Sequence, residues 1–222
     1  MMKSQPSLKN LREKIGGMTV NSVNEAYIRE ALHAVFNADE DLSEDEYGSL
    51  CAKYTRLKFM SMSRAGHLYD RYGNLACFTD ELISAAADVL KRRGTTVTFE
   101  CTNENMFVTC NFEYAYYSVI SLIHSCVEDG AEKIFVKLSE NKNGVYLFVS
   151  SDGSPTVKTD SDVYAFASLY SGTVLSCISD DKNVTVIKIA PGTDPEAEIA
   201  VYDTDFLFDR MSPVYMGLGI RL

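Results

Sequence analysis

The sequence predicts an α+β protein: an N-terminal helical hairpin followed by a sandwich of one sheet on a layer of helices. Three observations predict it. Residues 1–72 place apolar side chains at helical steps. From Thr79 onward the pattern becomes helix, two strands, helix, two strands, helix, two strands. Apolar residues make up 46% of the 222 and charged residues 23%, enough for a sizeable core in one or two domains.

In the hairpin region, Leu8, Leu11, Ile15 and Met18 follow a helical step that Gly16-Gly17 interrupts. A firmer helix runs through Val23, Tyr27, Ile28, Ala31, Val35 and Phe36 and ends at the polar stretch 37–41. Ser43 and Glu46 have the spacing of a capping box, with Leu42 and Tyr47 at the staple positions. The helix that follows is expected to reach about Arg71, roughly 43 Å at 1.5 Å per residue, and to stop at Gly73-Asn74. Tyr47, Leu50, Tyr54, Leu57 and Met60 form its apolar stripe. Two helices alone cannot bury two such stripes. Doubling them in a homodimer gives a four-helix bundle that can; the alternative is a hairpin packed on the domain that follows it.

The next helix is expected to be capped by Thr79, with Phe78 and Ile83 as its staple, and to run through Leu82, Ala86, Val89 and Leu90 to Gly94. Residues 95–100 and 106–110 alternate as strands. A central helix carries one apolar row, Phe112, Ala115, Val119, Leu122 and Cys126, and a second, Tyr116, Ile120, Ile123 and Val127. Ser118, Ser121 and Ser125 share its polar row, and Gly130 suits its end. Strands 133–138 and 145–149 follow, joined by the turn-prone Asn141-Lys-Asn-Gly144. The second strand ends in Ser150-Ser-Asp-Gly-Ser-Pro155. A short helix over 163–170 and a hairpin of 172–177 with 184–189 across residues 180–183 complete the pattern. The expected boundaries are therefore 1–74 for the helical region, 75–190 for the sandwich and 191–222 for a tail.

The order of elements over residues 45–190, with the helix Ser121-Leu-Ile-His-Ser-Cys126 and the loop Ser151-Asp-Gly-Ser-Pro155, resembles the ATP-binding domain of sensor histidine kinases and their relatives, the GHKL group. In that family the helix reads Asn-Leu-Leu-x-Asn-Ala and the loop reads Asp-x-Gly-x-Gly. The resemblance implies a degenerate nucleotide site at Ser121, Ser125, Ser151, Asp152 and Gly153. The family's Mg-binding Asn falls on Ser125, its adenine-reading Asp on Ser151 and its second loop glycine on Pro155, while Gly153 is kept. Ser125 offers one short hydroxyl, and Ser151 cannot accept as a carboxylate does; Asp152, one residue on, could substitute if the loop shifts. The short polar stretch before Val163 leaves no room for the family's ATP lid and glycine loop. The expectation is no cofactor, with ATP and Mg disfavoured, and no catalytic set.

In the family's first helix a phosphoacceptor histidine is followed by an acidic residue. Here Asn21 stands nearest to its place, in Asn21-Ser-Val-Asn-Glu25, and asparagine cannot carry a phosphoryl group. His33 and His67 are the outside candidates for a phosphoacceptor, and His124 is expected to face solvent. The formal net charge of −10 argues against broad nucleic-acid binding and against anionic membranes. No apolar run is long enough to span a bilayer and no signal peptide precedes Pro6, so the expectation is a cytoplasmic protein. The six cysteines form no Cys-x-x-Cys pair and are expected to be buried free thiols, without a metal site. After the linker 191–195, the tail is rich in apolar side chains, among them Tyr202, Phe206, Phe208, Tyr215, Met216, Leu218 and Ile220. It is expected to be covered by the chain's own cleft, by a partner, or by pairing of 199–202 with a sheet edge.

The resulting reading is a histidine-kinase-like homodimer that has lost ATP chemistry and acts by binding a response regulator or a kinase. The alternatives are a phosphotransferase working through a bundle histidine, as in similar sporulation proteins, and an active ATP-dependent histidine or anti-sigma-type kinase.

Overall fold

The computed structural model describes residues 43–65, 70–153, 161–180, 182–189, 199–200 and 212–218. The first helix of the expected hairpin, Asn21, His33, His67 and most of the tail lie outside the described residues.

Helix α1 spans Glu44–Ala65. Its start is the expected capping box: the Ser43 amide donates to Glu46 Oε2 at 2.9 Å, and the Glu46 amide donates to Ser43 Oγ at 3.4 Å. Its expected end at Arg71 is corrected. Residues Arg71–Asn74 form a short strand, β1, antiparallel to β3 (Phe107–Cys110) with Arg71 opposite Cys110. A four-residue strand is too short to show alternation, and its partner is distant in sequence.

Helix α2 (Leu75–Leu90) begins four residues before the expected cap. Asn74 is the N-cap: its Oδ1 accepts the amides of Ala76 at 3.1 Å and Met106 at 3.2 Å. Thr79 lies inside the helix, where its hydroxyl donates to the Leu75 carbonyl at 2.8 Å. After a 3-10 turn at Lys91–Arg93 come β2 (Thr96–Cys101) and β3. Helix α3 (Phe112–Glu128) is capped by Asn111 Oδ1, which accepts the Tyr114 amide at 2.9 Å. Gly130, at φ 79°, ends it in the left-handed conformation. Strands β4 (Lys133–Asn141) and β5 (Gly144–Ser151) make the expected hairpin. Helix α4 (Ser161–Leu169), strands β6 (Thr173–Ser179) and β7 (Lys182–Ile189), and helix α5 (Pro213–Gly217) follow.

The main sheet has the order β2-β4-β5-β7-β6; only the β2–β4 pair is parallel. Alternate residues face the helices and are buried: Val97; Ile134, Val136 and Leu138; Val145, Leu147 and Val149; Ile187 and Ile189. Helices α2, α3 and α4 close this core, with Leu82, Ile120, Ile123 and Phe166 fully buried. The result is a two-layer sandwich of mixed sheet and helices.

The α1 stripe is buried within the chain's own fold. Tyr47, Leu50, Tyr54 and Leu57 are all covered, and α1 packs on α3, α4 and α5. Tyr54 hydrogen-bonds Tyr117, and burial together with that bond pushes the Tyr117 hydroxyl well above its ordinary pKa. Lys58 Nζ meets Glu113 Oε1 at 2.8 Å. Thr55 Oγ1 donates to the Met216 carbonyl at 3.4 Å, and Cys51 Sγ lies 3.9 Å from Met216 Sδ. Of the other tail residues, Ala200 donates its amide to the Tyr72 carbonyl at 2.9 Å, beside a parallel bridge from Ile199 to Tyr72. Gly73 is required there: a Cβ would sit 2.8 Å from Ala200 Cβ and 3.0 Å from the Phe112 ring.

Candidate functional site

The segment after α3 and the loop after β5 come together in a corner at Asp129 and Gly153, and the residues singled out in the sequence lie on these two elements. On the helix, Ser118 is buried and its hydroxyl returns to the Tyr114 carbonyl at 2.8 Å. Ser121, His124 and Ser125, further along, are half-buried. His124 is thus less open than expected; its Nε2 lies 3.4 Å from Glu128 Oε1. The Ser125 carbonyl accepts the Asp129 amide at 3.1 Å, closing the helix just before Gly130.

The loop after β5 is clipped onto that helix end. Asp152 Oδ1 accepts two backbone amides, Glu132 at 3.0 Å and Lys133 at 2.8 Å, and the Asp152 amide donates to the Lys133 carbonyl at 3.2 Å. This carboxylate, the sequence's only substitute for an adenine-reading Asp, is therefore the latch that fixes the start of β4. Gly153 sits where a Cβ would come 3.1 Å from the Asp129 carbonyl oxygen and 3.2 Å from the Ala131 nitrogen. Close backbone approach alone explains this glycine. Ser151 is 2% exposed, and among the described residues its hydroxyl has no hydrogen-bond partner.

Three further residues join the corner, and sequence reasoning missed them. Ser151 pairs with Asn183 across β5–β7, and Thr185 pairs with Ser176 across β7–β6, with Thr185 Oγ1 and Ser176 Oγ 3.1 Å apart. All four lie on the helix-facing side of the sheet by register, since Ile187 and Ile189 continue the same row. On this rung Ser151 is covered, while Ile178, on the edge strand β6, is 49% exposed. The signal was present as alternation, Asn183-x-Thr-x-Ile-x-Ile189, but its meaning depends on which strand lies next to β5.

No protein-family model matches the chain, and no curated protein matches it in sequence. Solved structures do match it. The catalytic domain of histidine kinase ThkA aligns with 55% of this chain and 96% of its own at 16% identity, TM-score 0.51. The histidine kinase AdeS of Acinetobacter baumannii aligns with 74% of this chain and 93% of its own at 14% identity, TM-score 0.51. The cytoplasmic segment of histidine kinase QseC aligns with 69% and 98% at 15% identity, TM-score 0.51. The fold is that of a histidine kinase catalytic domain. The two-layer GHKL-type sandwich expected from the order of elements is therefore the one observed, and at these identities the likeness is one of fold.

The resemblance implies ATP and Mg, which call for an adenine-reading carboxylate and a metal-holding side-chain oxygen at this corner. At the adenine-reading position Ser151 offers a hydroxyl in place of a carboxylate, and Asp152 commits its Oδ1 to two backbone amides. Among the described residues no group of three or more His, Cys, Asp or Glu could hold a metal ion. Residues 154–160, where the family places its lid, lie outside the described residues.

The cysteines are also sorted. Cys51 and Cys110 are buried, Cys101 and Cys126 are half-buried, and Cys77 and Cys177 are exposed, so burial holds for only part of the set. All six are free thiols. Burial pushes the Cys51 thiol up to about 11 and raises Cys110 further. Among the described residues no helix is long and apolar enough to cross a membrane.

Proposed function

We propose that this chain is a histidine-kinase-like signalling protein without ATP chemistry, acting by contact with a two-component partner, either a response regulator or a kinase. One observation carries the reading: at the position of the family's adenine-reading carboxylate stands a buried serine, and the next carboxylate is tied to the Glu132 and Lys133 amides. Phosphoryl transfer rests on positioning a nucleotide and neutralising its charge. A hydroxyl corner supplies neither. The test is calorimetric titration with ATP and Mg at millimolar nucleotide. No saturable heat is expected; micromolar affinity would overturn the reading and restore an active kinase.

The same reading includes a homodimer formed through residues 20–72, expected from the two apolar helix stripes; the Tyr47–Leu57 stripe is covered within the chain's own fold, so the Val23 to Phe36 stripe is the one that would meet a second copy. Light scattering should give about twice the 24.7 kDa chain mass. A monomer at micromolar concentration would leave the hairpin packed on its own domain. Transfer of a phosphoryl group from a phosphorylated response regulator onto His33 or His67 would instead establish the phosphotransferase alternative.

A further inference from the structure

We propose that the outer face of the main sheet is a docking surface for an acidic, partly apolar segment of a partner protein. The surface is on the opposite side of the sheet from the Ser151 corner and does not depend on what that corner binds.

Strand register places the outward residues in rungs. Lys137, Phe148, Val186 and Leu175 form one, and Phe135, Ser150, Val184 and Cys177 the next. Tyr146 stacks near Phe148, with ring centroids 6.4 Å apart. An outward face of an antiparallel sheet left in water normally carries polar residues. Here its centre is aromatic and aliphatic, with Leu175 67% and Phe135 37% exposed. A contiguous apolar patch rimmed by charge marks an interaction site.

The rim supplies the identity of the occupant. Lys133, Lys182 and Lys188 stand on the same outward rows, and among the described residues none of them is in an ion pair. The one outward carboxylate on these strands, Glu100, is already bonded to Lys137 Nζ at 2.9 Å. The outward rows of these strands carry four lysines and one glutamate, with Asp152 beside Lys133 and Asp180 in the turn before Lys182, on a chain of formal net charge −10. Symmetric pairing of two copies through this face would set lysines against lysines. An acidic partner surface with apolar side chains satisfies both the centre and the rim, and the overall negative charge opposes an anionic bilayer.

The test uses the full chain and a fluorescein-labelled amphipathic helix of about 20 residues, Leu and Phe on one face and Glu on the other; its control replaces Glu with Lys. Anisotropy should show saturable binding of the acidic probe that weakens as salt rises, and none of the basic one. Leu175→Glu and the pair Lys182→Glu with Lys188→Glu should each weaken binding at least tenfold. Lys91→Glu, on the far 3-10 turn, should change nothing. All sites are at the surface, so melting temperatures verify that each variant is folded. Equal binding of both probes, no binding at millimolar protein, or insensitivity to Leu175→Glu would overturn the proposal. Sedimentation of the chain with phosphatidylserine vesicles, abolished by the same substitutions, would also overturn it in favour of a membrane. Loss of a dimer on Leu175→Glu would overturn it in favour of a second copy.

Discussion

Removing the C-terminal helix should unfold much more than the tail. Val214, Met216 and Leu218 are at most 1% exposed, and they pack against α1 and α3. Fully burying each such side chain contributes about 1.5–3 kcal/mol, so the three together contribute roughly 5–9 kcal/mol. That is comparable to the whole stability of an ordinary domain, about 5–15 kcal/mol. A chain ending at Arg210 should therefore be unfolded or nearly so at room temperature, binding a hydrophobic dye strongly. Met216→Ala is the graded version. It deletes the contact with Cys51 and leaves a cavity under α1, at a cost of about 2–5 kcal/mol. At about 2–4 °C per kcal/mol for a chain of this size, the melting temperature should fall by roughly 4–20 °C. Ile199→Ala, at a side chain 73% exposed, is the control and should leave melting unchanged. Differential scanning fluorimetry decides it. If Met216→Ala melts with the parent protein, or truncation at Arg210 leaves dye binding unchanged, then the tail helix does not hold α1 on the sandwich.

Ser151→Ala should be neutral or stabilising by up to about 1 kcal/mol, because the hydroxyl it removes is buried without a bond. Ser151→Asp should destabilise by about 2–4 kcal/mol through a buried unpaired charge; a stable Ser151→Asp protein that binds ATP would show that the nucleotide site is intact apart from this residue. Tyr170→Phe removes a donor to Asp70 (2.7 Å) and an acceptor for the Asn111 amide (2.8 Å), and should cost about 1–3 kcal/mol by chemical denaturation. Burial and the Asp70 bond raise the Tyr170 pKa above the ordinary tyrosine value of 10.0. Its contribution is therefore complete below that pH and is lost above it, where the unfolded chain ionises first. Tyr170→Phe should remove part of the alkaline loss of stability. Iodoacetamide at neutral pH, followed by mass spectrometry, should modify Cys77 and Cys177 first and leave Cys51 and Cys110 protected until the protein unfolds; early labelling of Cys51 would mean that α1 detaches.

The order of elements was readable because it is written in local periodicity. The helix 112–128, its Gly130 stop and the turn 141–144 all announce themselves within a few residues. The start of α2 was misplaced for a physical reason: threonine caps helices, but it also back-bonds inside them, as Thr79 does to Leu75. Asn74 is the cap instead because one side chain satisfies both Ala76 and Met106, and Met106 is brought there by the β1–β3 pairing. Ser125, Ser151 and Gly153 could be placed in one corner by their motif positions, whereas Asn183, Thr185 and Ser176 needed the strand order. The tail helix had its own local signal in Ser212-Pro213, an N-cap followed by proline, with Ser212 Oγ accepting the Tyr215 amide at 3.4 Å.

The two halves of α3 face different demands. Its N-terminal half is held on several sides: by Glu113 to Lys58, by Tyr117 to Tyr54, by Tyr114 edge-on to Phe166, and by Gly217, whose lack of a Cβ admits Ile120 Cγ2 into space only 2.4 Å from where one would stand. In its C-terminal half Leu122 and Ile123 are buried in the core, while Ser121, His124 and Ser125 stay half-buried. Stability is therefore concentrated at the end of the helix that binds α1 and the tail, away from the corner where a nucleotide would sit. At that corner Asp152 Oδ1 orders the backbone of Glu132 and Lys133. A substitution at Ser125 should accordingly leave both melting and the association of α1 nearly unchanged, whereas one at Tyr117 should weaken both.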